Sequence, residues 1–498
     1  MFRPISLSIA LSLLLCAGAF SQVTDVPGLI PITPLVRVVD LNVGESTIVT
    51  LHDGSSVTVT LGHLAEHTEP VRKAVYGSTL KLVVDEVELT LEAGPYRLPQ
   101  TVGNVQIDCT ATKGLNGNGT PAFWGLDKDV RLRLWPKDSP YLQPGSMIYP
   151  VKQGWNSTRT WFDNEPVHGG NSILQHIYYH AGMDIGASEG LAPVIAATDA
   201  LVVQRGEDVL EGHKENTPTS PRYDVVYLMD GRGWYYRYSH LKEIAPNIQL
   251  GAVIKQGDPV GVVGKEGASG GWSHLHFEIK SRQPSEKWGT QAAFAFLHEA
   301  YVNEFGLSLY ANARPMQMIT AGETAHLDGR RSWSADDSIT SYEWTLFDGT
   351  KRDGTYLEKV YPTPGFYCET LKVTDRAGKV AYDFAYVMVL DPADLEHYTP
   401  NVNINYYPTR ELKAGDPITF KARAFRMKGG EETWDFGDGS PIRTTRSPEE
   451  AAPLAPEGYV AVEHRYDAPG DYIVKVSRTH ENGQTAHAKA WVHIGEQE

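Results

Sequence analysis

Alternating apolar and polar positions predict a β-strand directly after a glycine-rich stretch, residues 261–271. In that strand the apolar side chains of Phe277 and Ile279 point to one face and alternate with polar neighbours. His274, His276 and Glu278 share the other face, on which successive side chains lie roughly 7 Å apart. The preceding glycines let the backbone turn sharply and come close to a ligand. Two imidazoles on one strand face can reach the same metal ion, so this strand is the first candidate for a functional site.

Short strands are also predicted along the N-terminal part of the chain. The alternating segments are residues 46–51, 56–61, 80–91 and 130–135. The pair Asp53-Gly54 between the first two segments is typical of a hairpin turn. These patterns predict a small β domain of unknown role over residues 22–145. His63 and His67 would share one face of a helix, but we interpret them as surface histidines because no third ligand is near.

Length and composition narrow the class of protein. The chain has 498 residues, so several domains are expected rather than one. Its hydrophobic content of 41%, its 47 glycines and its 31 prolines are typical of globular domains rich in strands and turns. The formal net charge is −16 without a basic cluster, which argues against nucleic acid as a partner because its phosphates require cations. Cys109 and Cys368 are far apart in sequence, so we expect no disulfide framework.

The first 21 residues predict a signal peptide that is removed from the mature chain. Arg3 is followed by the apolar stretch 5–15, and the sequence Ala-Phe-Ser at 19–21 fits a signal-peptidase site with cleavage after Ser21. The apolar stretch is shorter than the ~20 residues that span a bilayer, so no stable membrane span is expected in the mature chain. The predicted location is therefore secreted, periplasmic or at the cell surface.

Further candidate metal ligands lie upstream of the glycine-rich stretch. His180 and Asp184, four residues apart, offer a neutral nitrogen and a carboxylate oxygen. His240 follows a run of aromatic residues that predicts another strand. Nitrogen and oxygen donors of this kind suit Zn²⁺, which in catalytic sites takes three protein ligands and keeps a fourth position for water.

A competing metal motif involves His176 and His180, which are also four residues apart and would share one helical face. The helical zinc motif requires Glu directly after the first His, and here Ile177 occupies that position. Tyr178 and Tyr179 favour a strand, in which a spacing of four is too wide for one ion. We therefore interpret His176 as a groove-wall or surface residue.

The order H-x-x-x-D, a His after an aromatic strand, and H-x-H resembles the lysostaphin-type (LytM-like) zinc endopeptidases, which cut peptide cross-bridges of bacterial peptidoglycan. Residues 253–261 also resemble the V-x-x-G-x-x-V-x-x-G turn of that family. The resemblance covers about residues 146–285 and implies an antiparallel, β-rich peptidase domain, which we place at 146–305. The chain departs from the family pattern at Gly-Trp-Ser 271–273, where many members carry Gly-Pro, and at the polar segment 211–222, which is expected to be an enlarged loop.

The resemblance also implies roles for the five candidate residues. His180, Asp184 and His276 would hold Zn²⁺. His240 and His274 would then face the open position of the metal, where one would accept a proton from water and the other would stabilise the oxyanion. The sequence leaves open which of the two has which role. Each residue alone has an ordinary structural explanation, but five residues of the right type in family order favour a zinc site.

After about Tyr310 the composition shifts, and two similar segments resemble PKD domains, which are immunoglobulin-like β-sandwiches often appended to secreted bacterial enzymes. We place them at residues 310–394 and 395–498. Trp344 and Trp434 are expected in their cores, and the Asp-Gly pairs are expected to form turns rather than to bind calcium. The predicted role of these domains is spacing or adhesion to an extracellular polymer.

The sequence thus predicts a mainly β, multidomain protein with two possible functions. The first is a secreted zinc metalloendopeptidase that acts on peptidoglycan or on an extracellular peptide. The alternative is a non-catalytic cell-wall binding or regulatory protein that retains the peptidase fold. Degenerate relatives of this kind usually lose metal-site residues, and here all five are present, which favours the enzyme.

Overall fold

The computed structural model describes residues 26–116, 123–155, 158, 161–168, 174, 177–397, 399–449 and 451–496. Strands predominate in this part of the chain, and the predicted mainly β fold is confirmed. The predicted signal peptide and His176 lie outside the described residues. Among the described helices, none has the length and apolar character needed to cross a membrane.

The first eight strands form two four-stranded antiparallel sheets. Their bounds are β1 Arg37–Leu41, β2 Ser46–Thr50, β3 Ser56–Thr68, β4 Val75–Val84, β5 Val87–Ala93, β6 Gln100–Val102, β7 Val105–Thr112 and β8 Val130–Pro136, with a 3₁₀ helix at Lys113–Asn116. One sheet has the strand order β1-β8-β7-β6 and the other has the order β2-β3-β4-β5. Both sheets contribute to one hydrophobic core, in which Val59, Leu80, Ile107 and Leu132 are fully buried.

The prediction of one strand over residues 80–91 is wrong because the chain turns in the middle of this segment. Asp85 and Glu86 both have positive φ angles, 46° and 71°, and the flanking segments pair antiparallel as β4 and β5. The apolar positions shift from 80, 82 and 84 before Asp85-Glu86 to 87, 89 and 91 after it, and this shift in the alternation marks the turn. His63 and His67 lie on strand β3 rather than on a helix, and both are exposed.

The next fourteen strands and the only α-helix among the described residues form the central part of the molecule. Their bounds are β9 Trp161–Asp163, β10 Pro166–His168, β11 Ile177–Tyr179, β12 Met183–Gly186, β13 Pro193–Ile195, β14 Ala200–Arg205, β15 Asp208–Val209, β16 Val226–Asp230, β17 Tyr235–Ser239, β18 Leu241–Ile244, β19 Val253–Ile254, β20 Pro259–Val263, β21 His274–Arg282, β22 Trp288–Gln291 and α1 Phe294–Phe305. The main sheet has the order β15-β14-β16-β17-β21-β12-β9, and a smaller sheet has the order β13-β20-β18. Strand β21, which carries the H-x-H pair, therefore lies between β17 and β12.

Two features of this central part bear on the sequence predictions. Residues 211–222 contain no strand or helix and form a loop, as expected from their polar sequence. The sequence pattern did not predict helix α1, which buries Phe294, Phe296 and Leu297 in the core beside the main sheet. The helix ends at Gly306, which adopts a left-handed conformation with φ of 62° and donates its backbone N–H to Val302 O.

The remaining strands form the C-terminal half. Their bounds are β23 Leu309–Tyr310, β24 Gln317–Thr320, β25 Thr324–Asp328, β26 Trp333–Ser334, β27 Ile339–Thr345, β28 Lys351–Asp353, β29 Tyr356–Val360, β30 Gly365–Asp375, β31 Val380–Leu390, β32 Asn401–Tyr407, β33 Ile418–Phe425, β34 Glu432–Asp435, β35 Arg443–Thr445, β36 Val460–His464, β37 Gly470–Thr479 and β38 Thr485–Ile494, with a 3₁₀ helix at Pro456–Gly458. The two predicted segments are joined, because β30 pairs in parallel with β38 at Phe366 and Ala486. Side chains from both segments also share one hydrophobic core, including Phe366 and Tyr386 of the first and Ile404 and Trp434 of the second.

The aromatic and acidic residues of these segments have the predicted structural roles. Trp344 and Trp434 are fully buried, and their indole N–H groups donate to Gly354 O and to Thr445 Oγ1, each at 2.9 Å. The Asp435 and Asp438 carboxylates each accept a backbone N–H from two residues farther on, which is turn chemistry.

Candidate metal centre

Strand pairing brings the candidate ligands together from two neighbouring strands. Asp184 lies on β12 directly opposite His276 on β21. His180 lies between β11 and β12, four residues before Asp184. The chain turns between them at Gly182, whose φ is 106°. A Cβ at Gly182 would lie 2.8 Å from the backbone oxygen of Phe277, so the close approach of the two strands requires glycine there.

The donor atoms of these three side chains converge on one point. His180 Nε2 lies 3.0 Å from Asp184 Oδ1, and His276 Nδ1 lies 3.0 Å from the same oxygen. The two ring nitrogens, His180 Nε2 and His276 Nδ1, are 2.8 Å apart. All three donor atoms lie within 4.8 Å of one another. Two imidazole nitrogens and one carboxylate oxygen are a donor set that fits Zn²⁺.

The charges of the cluster favour an ionised Asp184. Burial opposes ionisation of this carboxyl group, yet the neighbouring imidazole of His180 and the hydrogen bonds from His180 and His276 hold its pKa well below its usual range. Burial likewise opposes protonation of His180, but the Asp184 carboxylate outweighs that effect and raises the pKa of His180. An ionised carboxylate is the form that binds a cation.

The other two predicted residues lie beside the cluster. His274 begins β21, and its Nε2 is 3.4 Å from Asp184 Oδ2. His240 directly follows β17 with a φ of 65°, and its ring centroid is 4.6 Å from that of His274. Burial lowers the pKa of His274 to about 3 and also lowers the pKa of His240. The structure thus brings all five predicted residues together, with His240 and His274 as neutral imidazoles at neutral pH.

Sequence reasoning missed the groups that hold His240. The Asp224 carboxylate accepts the backbone N–H of His240 at 2.8 Å, and the Glu266 carbonyl oxygen lies 2.7 Å from His240 Nδ1. Arg222 pairs with Asp224 on the other side. Burial opposes ionisation of Asp224, yet hydrogen bonds with His240 and Arg222 hold its pKa below the usual range. The sequence signal that could have predicted this ion pair is the presence of Arg222 and Asp224 shortly before the apolar strand β16.

The carbonyl group that holds His274 was also missed, whereas Glu278 was predicted to share a strand face with His274 and His276. His274 Nδ1 lies 2.9 Å from the Trp272 carbonyl oxygen, so its N–H donates there and Nε2 is the free nitrogen. Glu278 shares the face of His276 and is only 2% exposed. Its carboxylate accepts a hydrogen bond from Thr290 Oγ1 at 2.7 Å and lies 3.9 Å from His276 Nε2.

The sheet thus gathers a His-Asp-His cluster that could hold a metal ion, with two further histidines beside it. Residues 178–287 match peptidase family M23, so this part of the chain is a peptidase domain. Residues 310–389 and 403–491 each match the PKD domain. The predicted resemblance to a peptidase followed by two PKD domains is confirmed.

Solved structures show only distant likeness over larger parts of the chain. The D00-D0 domain of intimin shares 14% identity over 38% of this chain and 99% of that chain, with a TM-score of 0.15. Csd3 of Helicobacter pylori shares 15% identity over 45% of this chain and 55% of that chain, with a TM-score of 0.21. Dimeric latent PorU of Porphyromonas gingivalis shares 11% identity over 60% of this chain and 34% of that chain, with a TM-score of 0.16. Likeness at this level says nothing about the function of the chain.

Proposed function

We propose that the protein is a secreted zinc metalloendopeptidase that hydrolyses peptide bonds in peptidoglycan cross-bridges or stem peptides. The observation that carries this proposal is the convergence of His180, Asp184 and His276 within 4.8 Å, with His240 and His274 beside them. The match to a peptidase family supports hydrolysis of a peptide bond. Secretion is supported by the predicted signal peptide and by the PKD domains, which are typically extracellular. Adhesion of these domains to an extracellular polymer is part of the same proposal.

Three residues would hold the ion: His180 through Nε2, Asp184 through its carboxylate and His276 through Nδ1. Bound Zn²⁺ supplies a water-derived nucleophile near neutral pH and polarises the scissile carbonyl. The protein's own contribution is to hold the donors in place and to present proton-transfer groups beside them.

His240 and His274 are suited to proton transfer because each ring uses Nδ1 for a backbone contact. His274 Nδ1–H donates to the Trp272 carbonyl, and His240 Nδ1–H donates to the Glu266 carbonyl. Both rings therefore have Nε2 as the free nitrogen. A neutral imidazole can take a proton at Nε2, and after protonation it can donate a hydrogen bond to a developing oxyanion.

The test is mass analysis of the fragments released from purified peptidoglycan by the zinc-loaded protein, with and without a chelator. We expect fragments that disappear with the chelator. His276→Ala should lose both zinc and fragments, whereas His240→Ala should retain zinc and lose turnover. His67→Ala, which removes an exposed histidine of the N-terminal domain, is the matched control and should retain both.

Two results would contradict the proposal. If the zinc-loaded protein bound peptidoglycan without releasing fragments, the non-catalytic binding protein would be the better account. If His276→Ala bound zinc with unchanged affinity, His276 would not be a ligand.

A further inference from the structure

The second PKD domain, residues 403–491, contacts the peptidase domain immediately before His274. The indole ring of Trp272 stacks on Phe425, with ring centroids 4.1 Å apart and an interplanar angle of 12°. The backbone N–H of Ser273 donates to the Tyr459 hydroxyl at 3.1 Å. Two consecutive residues of the peptidase domain are thus held by side chains of the PKD domain.

A third contact completes this attachment at Gly271. Arg423 is only 3% exposed, and its Nη1 donates to the Gly271 carbonyl oxygen at 3.1 Å and to the Pro453 carbonyl oxygen at 2.9 Å. Gly271 has a φ of 85°, and a Cβ there would lie 2.8 Å from Arg423 Nη1. The left-handed backbone conformation favours glycine at this position. We call residues 271–273 the gripped loop.

The same PKD domain also holds a second segment of the peptidase domain that packs beside the gripped loop. Lys421 Nζ donates to the Glu189 carbonyl oxygen at 2.7 Å, and Ser188 Oγ donates to Asn405 Oδ1 at 2.7 Å. Ser273 Oγ in turn donates to the Ala187 carbonyl oxygen at 2.6 Å. Contacts at two separate segments fix the PKD domain against this edge of the site.

These contacts reach the functional site through one hydrogen bond. The Trp272 carbonyl oxygen accepts the N–H of His274 Nδ1 at 2.9 Å, so the position of that carbonyl sets the tautomer and the orientation of the ring. Trp272 is the residue stacked on Phe425, and it stands in the segment where the sequence departs from the Gly-Pro of the resembled family.

We propose that the second PKD domain is a positioning part of the active centre. Phe425, Tyr459 and Arg423 fix the gripped loop, and the loop fixes the ring of His274 in the orientation that presents Nε2. This inference rests on the proposed peptidase function. It also predicts ordered backbone in the gripped loop, which can be measured without any turnover.

The test uses Phe425→Ala in the full-length mature protein loaded with zinc. We expect kcat to fall at least about tenfold, because a displacement on the order of 1 Å at a catalytic group can cost about a hundredfold in rate. KM and zinc affinity should change less than about twofold by the same reasoning. Amide hydrogen exchange at residues 271–274 should become faster, while exchange in strand β17 should stay unchanged.

Three further variants make the test specific. Phe425→Trp retains an aromatic surface for the stack and should restore most of kcat. Tyr459→Phe retains the ring and removes the hydroxyl that accepts the Ser273 N–H and donates to Asn403 Oδ1, so it tests the same attachment with a small change in side-chain volume. Phe347→Ala removes a phenyl ring of the first PKD domain that is 46% exposed, and this control should leave kcat unchanged.

The outcomes separate this inference from the proposed function. If the wild-type protein releases no fragments, the proposed function fails. Whatever the activity of the wild type, unchanged hydrogen exchange at residues 271–274 in Phe425→Ala would overturn the inference. If the wild-type protein is active and both Phe425→Ala and Tyr459→Phe keep its kcat, the inference is wrong. Loss of zinc together with kcat in Phe425→Ala would also overturn it, because that result indicates general disruption rather than positioning of His274.

Discussion

His298 gives helix α1 a sensitivity to acid that can be calculated from its surroundings. Its ring is 5% exposed and lies among aromatic side chains, with centroids 5.9 Å from Trp155, 5.5 Å from Tyr310 and 4.6 Å from Trp333. Its Nε2 is buried without a hydrogen-bond partner among the described residues. Burial lowers the pKa of His298 from 6.5 to about 3, so the folded protein holds this ring neutral. We predict that acid weakens the docking of α1 through this one group.

The sign and size of the effect follow from proton linkage. The unfolded segment binds a proton more readily than the folded one, so the stabilisation is complete above pH 6.5 and is lost as the pH falls toward 3. Between pH 7.5 and pH 5.0 the loss amounts to roughly 2 kcal/mol. In His298→Phe this loss should disappear, because a phenyl ring does not titrate.

The assay is the free energy of local opening of residues 294–305, measured by amide hydrogen exchange at both pH values in the wild type and in His298→Phe. A local measurement is needed because a multidomain chain does not unfold in one step. A difference in opening free energy between the two proteins that is the same at both pH values would reflect the change in side-chain packing and not the titration of His298. If both proteins lost the same free energy between pH 7.5 and pH 5.0, the assignment of the acid sensitivity to His298 would be refuted.

Two further predictions concern other buried charges. Asp224→Asn should lower kcat at least about tenfold with zinc affinity unchanged, because the backbone N–H of His240 loses its ionised acceptor. Steady-state kinetics with a zinc-binding titration checks this, and loss of zinc would contradict it. Glu432→Ala should lower the free energy of unfolding of the second PKD domain by about 3–5 kcal/mol, because it removes the buried carboxylate 2.8 Å from the fully buried Arg478 guanidinium and leaves only Glu449 at 3.7 Å. Hydrogen exchange in that domain measures the change, and a loss below about 1 kcal/mol would count against an essential ion pair.

The candidate residues of the site could be predicted because the motifs that contain them are short and local in sequence. The H-x-H spacing puts His274 and His276 on one face of a strand, and H-x-x-x-D spans one turn into the neighbouring strand. The roles of these residues at one shared site followed from the family resemblance rather than from the residues alone, and the pairing of the two strands was not predicted. The buried apolar face of β21 and the tryptophans of the two PKD domains also followed directly from alternation and from side-chain volume.

Helix α1 and the contacts between domains were not predictable, for different physical reasons. In α1 the consecutive residues 294–298 are all buried, so the first half of the helix shows no amphipathic period, and Ala293 offers no side-chain cap. The pairing of Phe366 with Ala486 joins residues more than a hundred positions apart, so a local sequence pattern cannot predict it. Phe425 likewise ends an ordinary strand, and its stacking partner lies in another domain.

The common core of the two PKD domains has a mechanical consequence. Separate modules on a loose linker can swing, whereas this pair cannot bend at the junction of Phe366 with Ala486 without exposing apolar side chains to water. The second of them also contacts residues 271–273 before His274, so these domains are packed directly against the proposed active site. If the proposed peptidase activity and the proposed polymer binding both hold, the protein would cut at one set distance from its anchor, and digestion would yield fragments of uniform length.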